Sequence, residues 1–222
     1  RAGAYAQEII SATDAAIGWF QASRERLNDA LKRLSVLDEA SYLNACVLLL
    51  WIEAERQRGS GEGDPSVAEA LLQSIEERVP AGTGTASWTS RLPPEFAAAW
   101  AEWTLSVWPQ LNLSCLIERT TDKSLMQIVQ ALCSSKAALS EPIAALCEQM
   151  IASVTGIDSQ VEGLIALATA LDDGSDSSRS STLIEQAAAL TQELDSFNKV
   201  SLLGKCALFW VERGDIERAI AQ

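Results

Sequence analysis

The chain has 222 residues, of which 48% are hydrophobic and 21% charged, with a formal net charge of −13. This length and composition suit one large domain or a short stack of repeated units, and they exclude a disordered chain. Thirty acidic residues against seventeen basic ones argue against nucleic acid and against anionic membranes, both of which are recognised through basic faces.

Histidine is absent. The chain therefore lacks the commonest general base near neutral pH and the commonest metal ligand, and it cannot build Ser-His-Asp or Cys-His machinery. The five cysteines, Cys46, Cys115, Cys133, Cys147 and Cys206, are scattered and contain no Cys-x-x-Cys pair. They read as buried free thiols acting as small hydrophobes in a reducing compartment, and cytoplasmic localisation is the expectation. No signal peptide or membrane span is visible, and the longest strongly apolar run, 45–52, is too short to cross a bilayer. A first residue Arg1 rather than Met suggests a fragment or a processed product.

Ala and Leu dominate the apolar set, which favours helix. Over 4–35, Ile10, Ile17, Phe20, Leu27, Leu31 and Leu34 share one stripe at helical spacing. Asp38 reads as the cap of a second helix, 38–58, carrying Leu43, Val47, Leu50, Trp51 and Ala54, and the two form a plausible antiparallel hairpin. The loop 59–64 leads into Asp64-Pro65, a cap followed by proline at the first helical position, and a helix to about Val79. After a Gly/Thr/Ser-rich loop, Pro93-Pro94 opens a helix through Trp108, and a short helix or turn follows over 111–119. From 122 the rhythm is regular, with helices expected at 122–134, 140–154, 158–172, 179–195, 197–213 and 215 onwards. Asp122, Ser140, Asp158 and Asp195 or Ser196 are the capping candidates. Helix pairs thus recur every 37–40 residues, and Gly174 and Gly214 sit in similar turns.

The last unit resembles the tetratricopeptide repeat. Leu203, Cys206-Ala207, Trp210, Gly214 and Ala219 stand where that family places a large apolar residue, a Leu-Gly-like pair, an aromatic, a turn glycine and a small residue. Gly163, Ala166-Leu167, Ala170 and Gly174 repeat the spacing, with Arg179 where the Ala belongs. The resemblance implies an all-α, right-handed solenoid of antiparallel hairpins that cradles a peptide or helix of another protein, with no cofactor and no catalytic residue. Residues 1–120 would hold irregular hairpins, and 121–222 the repeat-like ones, continuous with them. The apolar Ile216, Ala219 and Ile220 would then form an open stripe on which a further repeat or a partner packs.

The leading expectation is a non-catalytic protein–protein interaction scaffold, part of a larger protein or complex, with no nucleic acid or membrane among its partners. The first helices of the pairs would grip a partner through Gln127, Gln130, Gln160, Glu162, Asn198 and Lys205. Trp100, Trp103 and Trp108 read either as core or as an exposed aromatic anchor. Asp172-Asp173-x-x-Asp176 matches the pattern by which terpenoid synthases hold magnesium diphosphate, and it supports an alternative, a helical isoprenoid-type enzyme. The partner motif of that family would need a carboxylate where Lys205 stands, and a helix end followed by a cap explains the acids equally well. Residues 175–182 read as a linker or a phosphorylation loop. A compact architectural bundle is a third possibility.

Overall fold

The computed structural model describes Lys32 and residues 39–61, 63–79, 81, 94–134, 139–173, 177–194 and 196–221. The described residues form ten helices and no strand, so the fold class is all-α. The chain divides into two compact units, Arg1–Thr121 and Asp122–Gln222. Of the stretch 4–35 expected to be helical, only Lys32 is among the described residues, and it is helical and exposed.

In the first unit, α1 (Glu39–Ser60) carries α2 (Pro65–Arg78) and α3 (Pro94–Val107), and the short α4 (Ser114–Ile117) packs on α2. Eleven of the thirteen residues from Tyr42 to Ala54 are buried. An apolar helix without a wet face belongs at the centre of its unit, and α1 is covered on more than the single stripe its sequence suggests. Tyr42 hydrogen-bonds Ser74 of α2, while Trp51 meets Phe96 of α3 edge-on, with centroids 6.3 Å apart. As the sequence implies, Asp64 caps α2, its carboxylate accepting from Ser66 N at 2.9 Å, with Pro65 at the first helical position.

The end of α2 depends on a residue far along the chain. Carbonyls in the last turn of a helix have no partner within it. The buried Arg119 donates to the Glu76 and Val79 carbonyls at 3.1 and 2.5 Å and to the Cys115 carbonyl at 2.8 Å. One guanidinium thereby closes α2 and joins it to α4.

The second unit runs α5 (Asp122–Cys133), α6 (Glu141–Ser153), α7 (Ile157–Asp173), α8 (Ser177–Thr191), α9 (Ser196–Glu212) and α10 (Ile216–Ala221). Consecutive helices pack as neighbours, and α7 also packs against α5 and α9. The odd-numbered helices begin at 122, 157 and 196, thirty-five and then thirty-nine positions apart. Their core is aliphatic: Ile128 and Val129 on α5, Ile143 and Ile151 on α6, Val161 and Leu167 on α7, Ile184 on α8. It ends in Phe209 and Trp210 on α9. The close approach of α7 to α5 and α6 needs Gly163, because a methyl group there would lie 2.7 Å from Ile151 Cγ1. Gly214, at φ +77°, ends α9 in a conformation open mainly to glycine. Gly214 N donates to Val211 O and Asp215 N to Trp210 O, both at 2.9 Å, the paired bonds of a Schellman turn.

Two expected caps serve another purpose. Asp122 and Asp158 lie inside the first turns of α5 and α7 rather than before them. Asp122 accepts from Thr155 N at 2.9 Å and from its hydroxyl at 2.5 Å. Asp158 accepts from Asn198 of α9 at 3.0 Å. Ser140 precedes α6 as expected, with Pro142 in the first turn, but its side chain makes no capping bond. The 175–182 stretch is not a linker throughout: Ser177–Thr182 form the start of α8. Their hydroxyls bond back to the Ser177 and Ser178 carbonyls.

Candidate interaction surface

The odd-numbered helices carry the polar residues expected to grip a partner. Gln127 and Gln130 of α5 are exposed. Gln160 is half-buried and donates to the Val154 carbonyl at 2.6 Å, tying the start of α7 to the end of α6. Asn198 and Lys205 are engaged within the fold. Asn198 donates to Asp158, and Lys205 reaches Glu162 at 2.8 Å. Asp158 and Glu162 are one turn apart on α7, so they offer two neighbouring carboxylates to α9. This polar face therefore joins hairpins to one another. Exposed pairs of this kind add little stability, roughly 0–1 kcal/mol each, but they fix the register between helices.

The even-numbered helices are joined in the same way. Arg179 of α8 donates to Glu148 of α6 at 2.9 Å and also pairs with Glu141. Hydrogen bonding to Glu148 is the main cause holding the Arg179 guanidinium even more firmly protonated than usual, with Glu141 contributing. Arg218 of α10 reaches Glu185 of α8 at 3.5 Å. The two arginines are thirty-nine positions apart, the spacing of the hairpins that carry them. Arg179, which breaks the small-residue pattern in the sequence, thus holds one hairpin to the one before it.

The tryptophan set does not form a surface anchor. Trp100 and Trp108 are 4% and 3% exposed. Core packing, the first of the two sequence readings, describes both. Trp103 is half-buried, with the Arg58 guanidinium 4.0 Å from its ring centroid, a cation–π contact that links α1 and α3. Of the acidic triplet, only the Asp172 side chain is among the described residues. Asp172 is ion-paired with Arg213 at 3.1 Å. The Asp173 side chain and residues 174–176 lie outside the described residues. No group of three or more acidic or cysteine side chains suited to a metal occurs among the described residues. Between α2 and α4 lies an open cleft of about 440 Å³, lined in part by Glu69, Glu76 and Glu118.

The exposed apolar side chains are the part of this surface only half visible in the sequence. On α9, Val200 is 73%, Leu208 55% and Val211 47% exposed, and on α10 Ile216 and Ile220 are 52% and 80% exposed. Val200, Leu203, Ala207, Leu208 and Val211 follow helical spacing along one stripe. The opposite stripe of α9, Leu202, Cys206, Phe209 and Trp210, is buried. Ile216 and Ile220 belong to the open apolar stripe that the sequence places on α10 with Ala219. The α9 stripe is not singled out by the repeat resemblance, which uses Leu203 and Ala207 as repeat positions and gives Val200, Leu208 and Val211 no role. Its signal was present: α9 is apolar over more than one face.

No family model, curated protein or solved structure matches the chain. Among the described residues no helix is long and apolar enough to cross a membrane.

Proposed function

We propose that this chain is a non-catalytic interaction module, a right-handed, tetratricopeptide-like solenoid of antiparallel hairpins that scaffolds another protein or peptide in a reducing, intracellular compartment. The supporting observation is α9, whose inward stripe is filled by the preceding helices while Val200, Leu208 and Val211 remain in contact with water. Apolar side chains gathered on one helical stripe mark a contact surface more often than scattered ones do, and laying an apolar helix face against a partner is a recurring mode of recognition. The packing of α7 against both α5 and α9, the hairpin spacing, and the arginine links from α8 to α6 and from α10 to α8 fit a stacked array.

The test is affinity capture from the cells that make the protein, comparing the wild-type chain with a Leu208→Asp, Ile220→Asp double variant. The wild type retains a specific protein, the variant loses it, and retention tolerates raised salt because the contact is apolar. A wild-type chain that holds nothing beyond what the variant holds refutes the reading.

A further inference from the structure

The outer face of α9 carries a gap. Gly204 lies in the middle of this helix, where glycine weakens the helix relative to alanine. Neither a positive φ nor a close neighbour calls for glycine there, and a methyl group at Gly204 would meet no atom within 4 Å. Its neighbours on the helical surface are Val200, Ala207 and Leu208, with Val211 one turn beyond. Val200, Leu208 and Val211 are exposed. The result is a notch rimmed by apolar side chains, the kind of hole that receives one large side chain when two helices pack.

The charges around this notch are unequal. Lys205 is neutralised by Glu162 and Arg213 by Asp172. Arg218 is shared between Asp215 at 3.4 Å and Glu185 at 3.5 Å, so one carboxylate is left over. Glu212, one turn after Leu208, and Glu217, between Ile216 and Ile220 in sequence, are exposed and make no ion pair among the described residues. Lys199 donates to the Gln192 carbonyl and, by helical spacing, lies on the side of α9 away from the stripe. Over 122–222, acidic residues outnumber basic ones by fourteen to seven.

Resting on the reading of this chain as an interaction module, we propose that the α9–α10 face binds a basic amphipathic helix of another protein, with one large apolar side chain of that helix seated over Gly204. The apolar stripe supplies the contact area, and the surplus carboxylates select lysine and arginine on the flanks of the incoming helix. A second copy of this chain would bring the same acidic excess against itself, and like charges across an interface oppose association. Anionic lipid is disfavoured on the same ground.

The test uses the full chain and two labelled synthetic helices of about eighteen residues, or five turns. Both carry leucines along one face. One has lysines on its flanks, and the other has glutamates in their place. Fluorescence anisotropy should show the lysine peptide binding one to one and at least about tenfold more tightly than the glutamate peptide. Raised salt should weaken this binding without abolishing it. A Leu208→Asp, Val211→Asp double variant should weaken it by at least about tenfold, although the change adds two negative charges. Gly204→Gln should weaken it as well while raising the melting temperature, because glutamine is the better helix former, so that loss cannot come from misfolding. Lysine-peptide binding that survives or strengthens in the double variant would be diffuse attraction to an acidic protein and would overturn the proposal. A failure of both peptides to bind, or a concentration-dependent dimer in sedimentation that the double variant abolishes, would overturn it too. Equal binding of the two peptides, lost in the double variant, would overturn the basic partner while leaving α9 a docking face, whereas the interaction module itself stands or falls by the affinity capture described above.

Discussion

Gly163 offers the sharpest test of how the second unit is packed. A methyl group there would lie 2.7 Å from Ile151 Cγ1, 3.2 Å from Ile151 Cδ1 and 3.0 Å from Met126 Cε. Carbon atoms in ordinary contact sit about 3.5–4.0 Å apart, so Gly163→Ala forces a shift in the α6–α7 contact. The Met126 methyl is the free end of a flexible chain and yields easily, whereas Ile151 Cγ1 is held close to its backbone. Overpacking of this kind costs about 1–3 kcal/mol. Alanine also returns about 1 kcal/mol of helix propensity in the middle of α7. The net expectation is a loss of about 1 kcal/mol. The balance reverses once Ile151 is shortened. Ile151→Ala alone costs about 2–5 kcal/mol, but in that background the obstacle is gone, and Gly163→Ala should stabilise by about 1 kcal/mol. The double-mutant cycle therefore predicts a favourable coupling of about 2 kcal/mol. Urea unfolding followed by circular dichroism measures it, with the two units fitted as separate transitions. Equal effects of Gly163→Ala in both backgrounds, within about 0.5 kcal/mol, would refute the close approach of α7 to α6.

Three further outcomes follow from other contacts. Arg119→Ala should destabilise the first unit by about 3 kcal/mol or more, because three carbonyls lose one shared donor in a buried site. Arg119→Lys should recover little of this, since an ammonium cannot span the guanidinium fork, and tryptophan fluorescence during urea unfolding reads both variants. Cys46 is neutral in the folded chain, with burial raising its pKa from 9.0 to about 12, so its contribution is present below about pH 9 and is lost as pH rises toward 12. At pH 11 that loss is about 3 kcal/mol. The stability gap between wild type and Cys46→Ala, measured by urea titration at pH 7 and pH 11, should shrink or reverse by that amount, and a gap independent of pH would contradict the buried thiol. Leu208→Ser and Ile220→Ser should each change stability by less than about 0.5 kcal/mol, whereas Trp210→Ala should cost about 3–5 kcal/mol. Thermal melts distinguish the two faces of the terminal hairpin, and a large loss from Ile220→Ser would show that its side chain is covered.

The helices were legible because their boundaries are written in local chemistry. Asp64-Pro65 starts α2, Ser140 and Pro142 bracket the first turn of α6, and Gly214 ends α9, each through backbone preferences confined to a few residues. What joins the helices was less legible, since those contacts connect residues thirty to forty positions apart. Asp158 carries the composition of a cap and pairs instead with Asn198. Arg119 gives no local sign that it closes α2. Trp100 and Trp108 illustrate a different limit: tryptophan favours both cores and contact surfaces, so identity alone cannot assign it.

The two kinds of surface on the second unit divide its work. Polar residues suggested as gripping points are partly consumed in holding hairpins together, Lys205 on Glu162 and Asn198 on Asp158, and Arg213 and Arg218 are likewise paired, with Asp172 and Glu185. A charge already paired within the fold must give up that partner before it can serve another, so it contributes little net affinity. The apolar stripes of α9 and α10 have no such prior claim, and water leaves them at no electrostatic cost. Along α9 and α10 themselves, Lys199, Lys205, Arg213 and Arg218 stand against Glu212, Asp215 and Glu217, and Asp158, Glu162, Asp172 and Glu185, which pair with this segment from α7 and α8, make its surroundings acidic. A partner of the proposed kind would meet apolar surface in an acidic setting. Affinity there would come from burying Val200, Leu208, Val211 and Ile220, with the ion pairs keeping α9 in the orientation that presents them.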